Sequence, residues 1–250
     1  MEKSQEQMQS DKLFKKICRI VGTTMRDHDM IREGDHILVG LSGGKDSIIL
    51  LEALAERRKA VPFEFRLTAA HIEAEGIGYE IDRKRLTSFC TRLDIPLIYR
   101  STRPDLEKDP SKAACFVCSW YRRKELFKLT RELKCNTLAL GHHRNDAIET
   151  LLMNMIYHGS ISSLPYTLLL FEGRVRLIRP LMDLNERMLE EYASLNSLVQ
   201  VEKSCPHEDR TQRIKIAGLL RQVEELHGSG PYNIFKSMNK IFREYLPVKD

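Results

Sequence analysis

Gly40-Leu41-Ser42-Gly43-Gly44-Lys45-Asp46-Ser47 closes a short apolar run, His36 to Leu41 (HILVGL), and opens a run with helical character, Ile48 to Arg57. The order is strand, glycine turn, helix start. Adjacent glycines let the backbone come close to a ligand and turn its N–H groups toward it. A helix starting behind them adds unpaired donors and a positive dipole end. Ser42 and Ser47 contribute hydroxyls and Lys45 a positive charge. Such a cradle suits a phosphate chain.

Two other glycine motifs do not fit. A Walker A loop needs four residues between its first Gly and the Gly-Lys pair, followed by Ser or Thr. Here Leu41, Ser42 and Gly43 alone separate Gly40 from Gly44, and Asp46 follows Lys45. The dinucleotide fingerprint Gly-x-Gly-x-x-Gly is absent. Ser-Gly-Gly-Lys-Asp-Ser after a strand resembles the PP-loop of the ATP-pyrophosphatase superfamily. Its members cleave ATP between the α- and β-phosphates and adenylate a substrate. The plainer alternative is an ordinary glycine-rich turn, against which six positions in the right context weigh.

A chain of 250 residues, 42% hydrophobic and 30% charged, can bury a full core. No apolar run reaches the length of a membrane span. Met1 to Lys16 is polar and charged, without the apolar segment of a secretory leader, so the expected compartment is the cytoplasm with no membrane partner. Six cysteines in such a chain read as thiols or ligands rather than disulfides. The net charge of +5 is compatible with a polyanionic partner without demanding one.

Outward from the loop, strands alternate with helices. Residues 11–31 read as an amphipathic helix with Cys18 beside its apolar face, 63–72 as a second strand and 79–93 as a helix holding Cys90. A third strand at 96–100, a loop at 101–114, a helix at 119–134, a fourth strand at 136–140 and a helix at 147–157 follow. The pattern then changes to a β-hairpin, 167–171 and 174–178 around Glu172-Gly173, a helix at 185–195 and a strand-like piece at 198–201. The tail, 208–245, reads as two helices broken at 228–231. The expected fold is α/β, an open, mainly parallel sheet with helices on both faces. The expected division is an N-terminal helical extension (1–33), a PP-loop ATP-binding catalytic domain (34–206) and a helical C-terminal tail (207–250).

Three further features carry chemistry. Cys115-x-x-Cys118 stands at a helix start, where the dipole and nearby Arg122 and Arg123 favour thiolates. No second Cys-x-x-Cys or His pair completes a zinc ribbon. Cys205 stands alone in a polar stretch, while Cys135 reads as core. Three thiolates can hold an iron–sulfur cluster with one open iron; equally, Cys205 is incidental and the pair binds zinc or nothing. Gly141-His142-His143-Arg144-Asn145-Asp146 ends the fourth strand, the glycine allowing a nucleotide to approach. Asp146 and Asp46 are candidate magnesium ligands. Ala70, His71 and Ile72, at a strand's carboxyl end, are candidates to line an adenine pocket.

Taken together, Ser42–Ser47, Cys115-x-x-Cys118 with the SWYRR that follows, GHHRNDAIETLLMN at 141–154, IRPL at 178–181 and the isolated Cys205 resemble the tRNA 2-thiocytidine synthetase family. The resemblance implies that ATP and Mg2+ adenylate the C2 oxygen of an anticodon-loop cytidine, and that sulfur delivered through a 4Fe–4S cluster displaces AMP. It implies that Ser42, Gly43, Gly44, Lys45, Asp46 and Ser47 cradle phosphates and that Gly40, Leu41, His71 and Gly141 contact nucleotide. Lys45, Asp46 and Asp146 are its catalytic residues; Cys115, Cys118 and Cys205 hold the cluster. From charge placement, Arg122, Arg123, Lys124, Arg210, Arg213 and Lys215 are candidates for tRNA phosphates. The sulfur comes from a cysteine desulfurase or free sulfide, and a homodimer is one option for assembly. The family usually carries Asp-Asp where this chain has Asn145-Asp146, which takes one carboxylate away. The rivals are a lysidine synthetase-like ligase, which needs no cysteines, and a non-catalytic nucleotide- or metal-binding module.

Overall fold

The apolar run before the glycine loop forms β1 (His36–Gly40), buried at its three central residues. It pairs in parallel with β2 (Arg66–Ala74) on one side and β4 (Thr137–Ala139) on the other. The structure is a computed structural model describing residues 4–77, 81–107, 113–198 and 212–247. Cys205, Arg210 and most of the strand-like piece at 198–201 lie outside the described residues. By contacts the chain groups into two compact units, one from 1–143 and 165–211, the other from 144–164 and 212–250.

Among the described residues of the first unit the sheet has six strands in the order β3-β2-β1-β4-β6-β5. β3 (Leu97–Thr102) and β6 (Val175–Ile178) extend the parallel set. β5 (Thr167–Leu170) pairs antiparallel with β6 as the expected hairpin, and its turn holds Phe171, Glu172 and Gly173 at positive φ. Alternation along β1 sends Ile37 and Val39 into one apolar cluster and Leu38 into another, so each face of the sheet has its own core. The larger core takes in α1 (Gln5–Asp27), α2 (Lys45–Ala60), α3 (Arg83–Arg92) and α6 (Glu186–Leu195). The smaller is covered by α4 (Ala114–Glu132). The expected α/β sheet with helices on both faces is thus what forms. α2 is buried almost all round, from Ile48 to Ala55, because α1 and α6 enclose the side the sheet leaves.

Several helix starts differ from the sequence reading. α1 begins at Gln5 rather than at residue 11, capped by Ser4, whose hydroxyl accepts from Gln7 N–H. Its first turns are exposed and polar, so they carry no apolar period. α4 begins at Ala114 rather than 119. Its N-cap, Ala113, makes no side-chain capping bond, so nothing in the sequence marks the spot.

The second unit comprises α5 (Arg144–His158), α7 (Gln212–Leu226) and α8 (Gly230–Ser237), which pack on one another. Arg144 lies over the rings of Tyr232 and Phe235, and Tyr157 donates to Gln212. No described helix is long and apolar enough to cross a membrane.

Candidate functional site

The strand order reverses beside β1: β2 and β3 follow it on one side, β4 on the other. In a parallel sheet the crevice at such a reversal, outside the carboxyl ends of the strands, is where ligands bind. Residues 41–44 and 140–143 border it.

The loop is built from its own side chains. Ser47 Oγ donates to the Gly44 carbonyl (2.9 Å) and accepts from Ser42 N–H (3.1 Å), with Ser42 Oγ also at 3.1 Å. Gly44 N–H donates to Ser42 Oγ at 3.3 Å. Gly43 sits at φ +87°, where an L side chain is strained, which is why the turn needs glycine there. Gly44 caps α2 without a side-chain bond, so the first-turn amides remain available to an anion.

Both flanking strands hold this loop. From β2, His71 is buried at 1% exposure and places Nδ1 2.8 Å from the Leu41 carbonyl. A carbonyl only accepts, so Nδ1 carries the proton. Desolvation lowers the His71 pKa and the Leu41 bond opposes the shift only in part, which favours the neutral ring. Leu41 N–H donates to Ala70 O at 2.8 Å. After β4, a Cβ on Gly141 would meet the Asp46 carbonyl carbon, its oxygen and Ser47 N, each at 3.1 Å. Gly141 therefore has a reason inside the chain: it lets the α2 start close against the end of β4. A Cβ on Gly40 would meet Leu140 at 2.9 Å and Leu126 at 3.1 Å.

Around the cradle stand Lys45, with Nζ 3.2 Å from Asp46 Oδ1, and two residues that sequence reasoning gave no role. Glu186, the first residue of α6, lies 3.8 Å from Lys45 Nζ, and buried His143 lies 4.0 Å from Asp46 Oδ2. Glu186 is brought in by the fold alone; His143 was visible in the Gly-His stretch but unranked. Asp46 Oδ1 is buried and meets no hydrogen-bond geometry, its charge being faced by Lys45 Nζ at 3.2 Å; a carboxylate oxygen of this kind is a donor type that suits a hard cation.

Cys115 and Cys118 are the second and fifth residues of α4, half-buried and three residues apart, so they share a helix face. α4 runs antiparallel to the strands: Arg122 Nε donates to Ile72 O at 3.1 Å, and Leu126 borders Gly40. The two thiols, two turns (Cys115) and one turn (Cys118) before Arg122, therefore lie toward the carboxyl edge that also carries the phosphate loop. Among the other described cysteines, burial pushes Cys18 up to about 12 and Cys90 and Cys135 up to about 11, which disfavours their free thiolates. Cys18 packs beside the core and Cys90 and Cys135 within it, as expected. Cys205 lies outside the described residues, and no group of three metal-binding side chains forms among the described ones.

The basic candidates fare differently from one another. Arg122 is held by Ile72, whereas Arg123, Lys124 and Lys215 are exposed. Arg213 is engaged within the second unit: it pairs with Asp146 at 3.0 Å and Glu149 at 2.7 Å. The carboxylate proposed for metal or adenylate work thus has a cation on it.

A family model described as a PP-loop domain matches residues 4–222. The chain is 36% identical over 249 residues to the tRNA-cytidine(32) 2-sulfurtransferase of Pelobacter propionicus, covering 97% of this chain and 92% of that protein. It is 33% identical to the protein of the same name from Polynucleobacter asymbioticus, covering 95% of this chain and 80% of the relative. Among solved structures, the U34-tRNA thiolase NcsA from Methanococcus maripaludis, determined with its 4Fe–4S cluster, shares the fold. Its TM-score is 0.75 at 24% identity, over 96% of this chain and 84% of that one. The chain is a PP-loop protein and belongs to the family of the tRNA-cytidine(32) 2-sulfurtransferases.

Proposed function

We propose that the chain is an ATP-dependent tRNA sulfurtransferase that converts an anticodon-loop cytidine, position 32 in its named relatives, to 2-thiocytidine. The observation that carries this is the common edge: the phosphate loop and the Cys115/Cys118 pair both lie toward the carboxyl end of the parallel strands of one sheet.

A ring carbonyl oxygen is a poor leaving group. Attack of the cytidine C2 oxygen on the α-phosphorus of ATP forms a C–O–AMP ester and expels pyrophosphate. Sulfide then adds at C2, AMP departs with the former carbonyl oxygen, and C2 retains sulfur. The loop residues Ser42 to Ser47 bind the phosphates. Lys45 and the open start of α2 stabilise the charge gathering on pyrophosphate, an effect strongest in a preorganised site. Asp46 would hold Mg2+, sharing its buried oxygen with Lys45 Nζ at 3.2 Å, and the ion would supply further positive charge there. At Asp146 a metal would have to displace Arg213.

The soft donor set of Cys115 and Cys118, completed by Cys205, fits an iron–sulfur cluster. When bound, that cluster supplies the open iron that carries sulfide. The sulfur comes from a cysteine desulfurase or free sulfide, and the expected setting is the cytoplasm. Exposed Arg123, Lys124 and Lys215 take tRNA phosphates.

The test is anaerobic reconstitution with iron and sulfide, incubation with tRNA and ATP, and nucleoside mass analysis. The expected product is cytidine with one oxygen replaced by sulfur, lost in Lys45→Ala and in Cys115→Ser. Full thiolation by Cys115→Ser, or addition of lysine instead of sulfur, overturns the proposal.

A further inference from the structure

The first two turns of α4 turn two large aromatic rings outward beside the cysteine pair. Phe116 is 53% exposed and Trp120 48%. Four residues apart, they share a face. Ser119, Arg123 and Lys124 are exposed with them, while Val117, Leu126, Leu129 and Thr130 are buried. The buried side of the helix is thus made by these four residues, and Phe116 and Trp120 stand on its exposed side. Single exposed apolar residues need no explanation, but two adjoining aromatics at a site mark a contact surface.

The chemistry around the rings selects the occupant. Tyr121 meets the Trp120 ring edge-on, with centroids 5.1 Å apart, and Lys124 Nζ lies 5.2 Å from the Trp120 centroid. From Phe116 to Lys124 the chain has no acidic residue and three cations. The first acid after them, Glu125, is largely buried and accepts from Lys128. No acid occupies the first turn of the helix either. A helix start of this charge repels a basic protein surface and attracts a polyanion. Flat rings interleaved with cations are what a single-stranded nucleic acid uses, its bases stacking while its phosphates pair.

We infer that Phe116 and Trp120 form a stacking platform for an unpaired base of the RNA substrate, with Arg123 and Lys124 taking the adjoining phosphates. The inference rests on the reading of the substrate as tRNA. It adds that the strand is gripped by base stacking on the helix that carries the cysteines. An unpaired loop would bind here and a duplex would not, since duplex bases keep their faces covered.

Trp120 is the sole tryptophan of the chain, so its emission reports on the platform alone. The experiment titrates the full-length protein with an anticodon stem-loop RNA and with a fully paired duplex of the same composition, at fixed salt. The stem-loop is expected to quench Trp120 and the duplex to leave it unchanged. By anisotropy of a dye-labelled stem-loop, which needs no tryptophan, Trp120→Ala and Phe116→Ala are each expected to weaken binding by roughly 5- to 150-fold, the span for loss of one stacked base. Trp120→Phe keeps a stacking face and is expected to retain most of the affinity, which also guards against a folding defect. Lys45→Ala, blind to this surface, is expected to quench like the parent. Quenching in that variant without thiolation therefore separates the platform from the catalytic reading. The inference is overturned by equal quenching with duplex, by unchanged affinity in both alanine variants, or by affinity that falls equally in Trp120→Phe and Trp120→Ala. Concentration-dependent quenching without RNA assigns the face to a second copy and overturns it as well.

Discussion

Replacing His71 tests whether the phosphate loop is held from outside. His71 Nδ1 donates to the Leu41 carbonyl at 2.8 Å, and both residues are 1% exposed. His71→Leu leaves that carbonyl buried without its donor, at a cost of about 1–3 kcal/mol. For a chain of this size each kcal/mol moves Tm by about 2–4 °C, so a fall of roughly 2–12 °C is expected. Because Leu41 adjoins Ser42, part of the cost falls on the cradle. If all of it did, KM for ATP would rise by roughly 5- to 150-fold. Asparagine carries its amide nitrogen where histidine carries Nδ1, whereas glutamine reaches to where Nε2 lies. His71→Asn is therefore expected to recover most of the ATP affinity and His71→Gln little of it. The assay is pyrophosphate release against ATP concentration at saturating tRNA, beside thermal melts of each variant. If His71→Asn is as impaired as His71→Leu, the ring matters for something other than its donor. If His71→Leu melts lower with KM unchanged, the histidine holds the fold and not the loop.

Other outcomes follow from the same geometry. Gly141→Ala drives a Cβ into the backbone of Asp46 and Ser47 at 3.1 Å; it is expected to cost about 1–3 kcal/mol in urea denaturation and to weaken ATP binding with tRNA affinity intact. His71 and His36 both have pKa values lowered chiefly by desolvation. Each unfolds into a form that binds protons more readily, so their contribution is complete above about pH 6.5 and is lost as pH falls toward the folded values. Urea midpoints should drop on acidification, and less so in His71→Leu. Arg213→Ala removes one cation from Asp146 and Glu149, whose side chains are 18% and 11% exposed; with Arg213 itself 44% exposed, about 1–2 kcal/mol is expected in melts. Each of Arg123→Ala, Lys124→Ala and Lys215→Ala should lower the salt slope of tRNA binding by roughly 0.7–0.9.

The strand–loop–helix at 36–57 was legible because three local signals agree: an apolar run, paired glycines and a helical period. The hairpin was legible for a similar reason, with Glu172-Gly173 between two apolar runs. The start of α4 was not, because Ala113 offers no capping side chain and the buried positions of its first turns amount to Val117 alone. The cysteine pair was placed at a helix start nonetheless, since charge and spacing survive a boundary error. What sequence could not supply was partnership across the sheet. Nothing near Gly141 says that its neighbour is the backbone of Asp46, or near His71 that its acceptor is Leu41. Both were read toward the nucleotide because a strand end is where ligands lie, and both prove to contact the loop itself. Glu186 carries no local signal at all; only the packing of α6 on α2 brings it toward Lys45.

These contacts resolve a conflict built into the motif. A phosphate cradle needs glycines so that its amides can face inward, yet glycine carries the largest backbone freedom to lose. Donors that stabilise charge on a departing group are effective only if they are fixed before it leaves. Ser42 and Ser47 fix the interior of the loop, but they cannot fix it relative to the sheet. The order β2-β1-β4 supplies that: His71 grips the loop's entry from one neighbour of β1, and Gly141 seats its exit against the other. Rigidity therefore comes from the two strands beside the motif, and substitutions there should weaken ATP binding before they weaken RNA binding.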